Sequence, residues 1–175
     1  MQKVAKFEKV SFRRFEEDFK KTFPEMVNKI SQDYIQEVYN KIELPNRATK
    51  GSAGYDFYSP FVQINMKPRE THTIPTGIRV KIEDGWVLKL YPKSGLGFKY
   101  RLQLNNTVGV IDSDYYYSDN EGHIFAKITN DSNEDKSVHL RLGDGFMQGI
   151  FVQYGVTVDD DATEARNGGF GSTGK

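Results

Sequence analysis

Apolar residues change their period along the chain. Phe12, Phe15 and Phe19 fall three and four residues apart inside SFRRFEEDFKK, with Ser11 ahead of them as a cap, and this predicts a first helix. Thr22 and Glu25 form a T-x-x-E capping box with Pro24 in the first turn. Met26, Ile30, Tyr34 and Val38 follow at intervals of four, so the pattern predicts a second helix running to about Tyr39. Two helices this short are not stable alone. Their stripe is read as a docking face for the main domain or a neighbouring subunit, with contact to another protein as the alternative use of residues 1–41.

From Ile42 onwards the period shortens to two. VQINM, THTIPTGIRVKI, GWVLKLY, NTVGVID, HIFAKIT and KSVHLRL are short alternating or β-branched runs. Turn signals separate them at Lys50-Gly51, Met66-Lys67-Pro68, Glu83-Asp84-Gly85, Asn130-Asp131-Ser132-Asn133 and Gly143-Asp144-Gly145. Strands at this spacing without helices between them predict a mainly β sandwich or barrel over residues 42–157. After Val158 the apolar pattern stops, and the acidic, then Gly-rich residues 158–175 read as a flexible arm. No internal repeat is present.

Composition narrows the function classes. The 175 residues carry 24 Lys+Arg against 24 Asp+Glu, so the basic excess of a general nucleic-acid binder is missing. Absence of cysteine removes disulfides, thiolate nucleophiles and thiolate metal sites together. No apolar run approaches the roughly 18–20 residues of a membrane span, and MQKVAKFEKV lacks a secretory apolar core. The expectation is a cytoplasmic protein with no membrane or nucleic-acid partner.

Glycine concentrates in five polar segments: GSAGYDFYS (51–59), YPKSGLGFK (91–99), GVIDSDY (109–115), LGDGFMQG (142–149) and RNGGFGSTG (166–174). Glycine lets backbone approach a ligand and turns N–H groups toward an anion. Ser94-Gly95 beside Lys93 is one phosphate-cradle candidate, and Gly168 to Gly174 with Arg166, Ser172 and Thr173 is another; each also reads as an ordinary turn. Neither a Walker loop nor a strand–GxGxxG–helix unit occurs. His72, His123 and His139 lack ligand spacing. His72 and His139 read as surface strand residues, and His123 stays open as a minor site candidate. Asp112, at the end of a buried-looking strand, with Asp114 two residues on, is either a turn former or a general base. Asp56 poses the same choice.

In order and spacing these five segments resemble the five motifs of the homotrimeric dUTPase family. GSAGYDFYS is similar to the first, PKSGLG to the second, NTVGVIDSDY to the third, GDGFMQ to the fourth and RNGGFGSTG to the fifth, with ELPNRATK resembling the lead-in. The resemblance covers Ile42 to Lys175. It implies a jelly-roll-like β-barrel, a homotrimer with active sites shared between subunits, and hydrolysis of dUTP to dUMP and pyrophosphate by attack on the α-phosphorus. Mg²⁺ would be held by triphosphate and water, with no direct protein ligand.

Roles follow by position. Asp112 matches the general base that deprotonates water, and Asp56 a nearby supporting carboxylate. Asn106 matches the side chain that reads the uracil edge; the hairpin around it, including Gly109 and Ile111, would imitate a base-pairing partner. Tyr115 matches the ring under deoxyribose that leaves no room for a 2′-OH. Ser94 and Gly95 match a phosphate-contacting pair, Gln148 a glutamine facing phosphate and water. Arg166, Phe170, Gly171, Ser172 and Thr173 match an arm that closes over the nucleotide, Phe170 stacking on uracil.

Four features depart from the family pattern: Lys93 and Gly145 stand where Arg is usual, the fifth motif is one residue short between Arg166 and Phe170, and YYYSDNEG (115–122) is longer than the usual loop. The rival readings are a dCTP deaminase of the same fold and a nucleotide-sensing binding protein with weak turnover.

Overall fold

A computed structural model of the chain describes residues 2–164. Eleven strands and three α-helices follow one another in it: β1 (Ala5–Lys9), α1 (Phe12–Thr22), α2 (Gln32–Asn40), β2 (Tyr55–Tyr58), β3 (Gln63–Met66), β4 (Thr71–Pro75), β5 (Ile78–Ile82), β6 (Trp86–Pro92), α3 (Ser94–Tyr100), β7 (Leu102–Leu104), β8 (Gly109–Ile111), β9 (Phe125–Asn130), β10 (Val138–Arg141) and β11 (Gly145–Gln153). All pairings are antiparallel, in four ladders: β1-β5, β10-β3, β2-β11-β6-β8 and β4-β9-β7. The chain is mainly β. The ladders stay separate, and no sheet closes into a barrel among the described residues.

One core joins the sheets to the N-terminal helices. Phe57, Met66, Ile74, Leu88, Ile128, Leu140 and Phe146 from the strands pack in the same cluster as Phe15 and Phe19 of α1 and Ile35 and Val38 of α2. Alternation explains the strand contributions: in β3 and β10 every second side chain is buried. Each buried Phe contributes about 1.5–3 kcal/mol relative to leaving it exposed, so α1 is part of the body of the protein.

The start of the chain differs from the sequence reading in two places. Ser11 does cap α1, its hydroxyl accepting from the Arg14 N–H at 3.1 Å. The second helix, however, begins at Gln32 rather than near Thr22. Thr22 Oγ1 donates back to the Asp18 carbonyl at 2.7 Å, which commits it to the end of α1. A short 3₁₀ turn covers Pro24–Met26, and Ser31 caps α2 through the Tyr34 N–H. The buried pair on α2 is Ile35 and Val38, so the run of four-residue intervals was not one helical face. Strand β1 went unread because its alternation of charge and apolar residues lies beside a helical pattern; it pairs with β5 from Ala5↔Ile82 to Lys9↔Ile78.

The long loop after Asp112 acts as a clasp. It opens with a 3₁₀ turn, Ser113–Tyr117, and then reaches the N-terminal segment. Glu121 accepts from both the Ser11 hydroxyl (2.6 Å) and its N–H (2.8 Å), and the Tyr116 hydroxyl donates to Glu8 (2.7 Å). The Arg79 guanidinium lies 3.6 Å from the Tyr116 ring centre. Gly122 permits the turn: its φ is +69°, and a Cβ there would come within 2.8 Å of the Tyr115 carbonyl oxygen and the Tyr116 Cα.

Candidate active site

The four-stranded sheet places the candidate residues at its two ends. On β11, Gln148 lies opposite Asp56 of β2 on one side and Tyr91 of β6 on the other. The next residue after β6 is Lys93, whose N–H donates to the Phe146 carbonyl at 3.1 Å. Its ammonium forms an ion pair with the Asp56 carboxylate, and the side chains are 35% and 10% exposed respectively. Gln148 is half-buried and donates to the Pro92 carbonyl at 3.3 Å. Gly54 makes room for that side chain, since a Cβ there would lie 2.8 Å from Gln148 Oε1. Ser94 and Gly95 follow at once, both exposed. Their segment is the short helix α3, not the turn that its glycines suggested.

Asp112 sits at the other end. Ile111 pairs with Leu88 and Gly109 with Leu90, so Asp112 lies past the Leu88 level, toward the start of β6. Lys93 lies beyond the other end of β6, and at about 3.3 Å per residue the separation along the strand approaches 20 Å. Asp112 is half-buried and directly precedes the Ser113–Tyr117 turn; Asp114 is exposed. Within one chain, therefore, Asp56, Lys93 and Gln148 come together, and Asp112 does not join them.

The residues around Asn106 are not a hairpin. Strand β7 belongs to the sheet of β9 and β8 to the sheet of β6, so residues 105–108 carry the chain from one sheet to the other. The crossing is tight: Thr107 N–H donates to the Leu104 carbonyl at 2.9 Å and Val108 N–H to that of Asn106 at 2.6 Å. Thr107 has a φ of +65°, an uncommon state for a β-branched residue. Between the sheets at this crossing opens a cleft of about 490 Å³, with Asn106 and Gly109 on its wall together with Leu90, Leu104, Phe125 and Met147. Neither Asp112 nor the Asp56–Lys93 pair lines this cleft; its walls are largely apolar.

Tyr115 is buried, with 3% of its surface exposed. Its hydroxyl donates to the His123 carbonyl at 2.7 Å and accepts from the Asn120 amide at 2.8 Å. His123 is fully buried. Its Nε2 accepts the Gly77 N–H at 2.8 Å, which puts the ring proton on Nδ1, 2.7 Å from Asp18 of α1. Burial holds the imidazolium pKa below its ordinary value, against the pull of Asp18. It is a structural residue. Arg166, Phe170, Gly171, Ser172 and Thr173 lie outside the described residues. Among the described residues, no group of three His, Cys, Asp or Glu could hold a metal ion, and no helix is long and apolar enough to cross a membrane.

Residues 40–174 match the family model for dUTPase. The chain belongs to the dUTPase family. A deoxyuridine 5'-triphosphate nucleotidohydrolase of Lactococcus lactis subsp. lactis is 41% identical over 136 residues, which span 76% of this chain and 89% of the relative. Among solved structures, the dUTPase of Streptococcus mutans superposes with a TM-score of 0.60 at 30% identity, covering 86% of this chain and 97% of that one. A dUTPase from phage phi11 of S. aureus has the same fold at 22% identity (TM-score 0.58, covering 73% and 94%), and a structural Mg(II) ion is coordinated there. In this dUTPase chain, Gly145 and Gly54 shape the Asp56 end of the sheet. The density of glycine in the first and fourth segments signals both, and Gly145 also stands out as a departure from the Arg usual in the family pattern.

Proposed function

We propose how this chain carries out an activity that its family membership establishes. It hydrolyses dUTP to dUMP. The observation that carries our reading is the division of the candidate residues between two ends of one sheet, nearly the length of β6 apart. Asp112 of one copy then faces the Asp56–Lys93–Gln148 end of another, and a homotrimer with sites between subunits gives every copy both roles.

At the Asp112 side, the carboxylate accepts a proton from a water aligned behind the α-phosphorus. The water oxygen forms the new P–O bond while the bond to the bridging oxygen breaks, and pyrophosphate leaves with that oxygen's electron pair. Asn106 reads the uracil edge at the crossing between the sheets, where Thr107 and Val108 fix the backbone. Tyr115 forms the floor under deoxyribose. Its hydroxyl is held by the His123 carbonyl and Asn120 amide, so the ring cannot swing aside for a 2′-OH. On the opposite side Lys93, Ser94, Gly95 and Gln148 meet the phosphates, and Arg166, Phe170, Gly171, Ser172 and Thr173 close over them.

Magnesium fits this donor set. Asp56 is already paired with Lys93, and a hard cation that keeps several waters needs few protein oxygens when triphosphate supplies the rest. Held in that way, it would supply neutralisation of the phosphate charge.

Pyrophosphate release from dUTP, dCTP, dTTP and UTP with Mg²⁺ tests the reading. Turnover of dUTP alone is expected, falling at least about 10²-fold in Asp112→Asn and ceasing with EDTA. Comparable turnover of UTP contradicts the role of Tyr115, and an unaffected Asp112→Asn contradicts that of the base. Ammonia from dCTP points to a deaminase instead.

A further inference from the structure

The ion pair between Lys93 and Asp56 lies beside an irregular stretch of β11. The strand changes register between Gly145 and Met147 where it pairs with β2. Phe146, inside that stretch, accepts the Lys93 N–H at 3.1 Å and so fixes where that side chain starts. Gly145 lies against both partners: a Cβ there would stand 3.7 Å from both Cδ and Nζ of Lys93 and 3.8 Å from Cβ of Asp56. A methyl group meets ordinary contact distances in that place. Anything longer enters the space the ammonium occupies or competes with it for the carboxylate.

Asp56 is the deeply placed member, and Lys93 the one with a third of its side chain still exposed. The carboxylate is therefore engaged by Lys93, while the partly exposed ammonium has donors left for an anion. An ammonium is a point charge on a long flexible stem, and it orients an anion well only when something fixes its position. Here a carboxylate, a backbone hydrogen bond and the missing side chain at 145 do so together.

We propose that Asp56 acts through Lys93 as a positioning residue, and that Gly145 sets the reach of Lys93, making it the cation that orients the triphosphate at this end of the site. Residues 93 and 145 are then coupled: an Arg at 145, entering over the same carboxylate, supplies the cation when Lys93 is gone. This inference rests on the dUTP reading of the site.

A set of four variants, assayed by kcat and KM for dUTP and by thermal melting, tests it. Lys93→Met loses at least about tenfold in kcat/KM and melts lower, because a buried carboxylate is left without its partner. Gly145→Arg in the presence of Lys93 loses several-fold, with two cations crowding one carboxylate. Lys93→Met/Gly145→Arg regains at least about tenfold over Lys93→Met, the non-additivity expected of groups that share a partner. Lys93→Met/Asp56→Asn recovers the melting temperature without recovering activity. The proposal is overturned if that last variant regains activity with its stability, since the pair then serves only the fold. It is equally overturned if Lys93→Met/Gly145→Arg melts like the parent and stays as slow as Lys93→Met. A parent protein that releases no pyrophosphate from dUTP would instead sink the reading of the reaction on which the proposal rests.

Discussion

At the scale of single residues, small groups decide what larger ones can do. Gly122 holds a positive φ beneath the backbone of Tyr115 and Tyr116, so a side chain there meets main-chain atoms that cannot yield. Gly122→Ala is expected to cost about 1–3 kcal/mol, from left-handed strain together with the clash. Denaturant unfolding reads this directly, and a variant as stable as the parent would show that the loop relaxes. Tyr115→Phe removes the hydrogen bonds to the His123 carbonyl and from the Asn120 amide, leaving a buried acceptor unpaired, for a loss of about 1–3 kcal/mol. The same variant is expected to turn over UTP better relative to dUTP, because the sugar floor is no longer tethered. Most of these residues were visible in the sequence as types. Asp56, Lys93, Asn106, Asp112 and Gln148 stand out through the company they keep, yet nothing in their spacing says that Lys93 reaches Asp56. That contact is made across β11, which lies between β2 and β6, and the order of strands in a sheet leaves no periodic trace.

At the scale of elements, α1 and the loop 115–123 are one structure. Ser11 caps the helix and also donates to Glu121, and Asp18 on the same helix receives the His123 Nδ1–H. Both contacts are sensitive to acid, and with the same sign. Burial lowers the pKa of His123 from 6.5, so unfolded chains bind the proton more readily and stability is lost as pH falls below about 6.5. Burial alone would raise the Glu121 carboxyl; the side-chain and backbone hydrogen bonds from Ser11 overcome it and hold it below 4.5. Its contribution is present above 4.5 and lost as pH falls through the lowered value. Melting temperature should therefore decline in two stages on acidification. His123→Asn flattens the first stage and Ser11→Ala the second; a decline unchanged in both variants would place the acid sensitivity elsewhere. Phe15→Ala, which hollows the shared core, is expected to cost about 3–5 kcal/mol.

Element types are legible where the period is clean, as in the runs that become β3, β6, β8, β9 and β10. THTIPTGIRVKI reads as one run, but the chain breaks at Thr76-Gly77 into β4 and β5, which pair with β9 and β1 in different sheets. Legibility ends where a segment serves two purposes. GSAGYDFYS contains β2 and LGDGFMQG the start of β11, but their glycines, which make room for Gln148 and Lys93, read as turns. Ser94–Tyr100 is helical despite two glycines, and residues 22–31 broke a helical pattern because Thr22 was already bonded to the helix before it.

At the scale of the whole molecule, the fold keeps the two groups of candidate residues apart within one chain. The order β2-β11-β6-β8 puts Asp56 and Gln148 on neighbouring strands and ties Lys93 to the end of the third, while the short β8 delivers Asp112 toward the far end of β6. No rearrangement within the sheet brings the two ends together without breaking its ladders. The family resemblance implies shared sites; the separation set by the register, which no residue pattern reveals, is the physical argument for the proposal.

Subunit complementation tests this most directly. Asp112→Asn disables the base, and Lys93→Met disables the phosphate end, so each protein alone is expected to be nearly inactive with dUTP. Mixed by unfolding and refolding together, they are expected to regain a substantial fraction of parent activity, because some interfaces then pair an intact Asp112 with an intact Lys93. Mixed assemblies that form, as seen by a size or affinity tag, yet remain as inactive as either variant alone would contradict a site divided between copies.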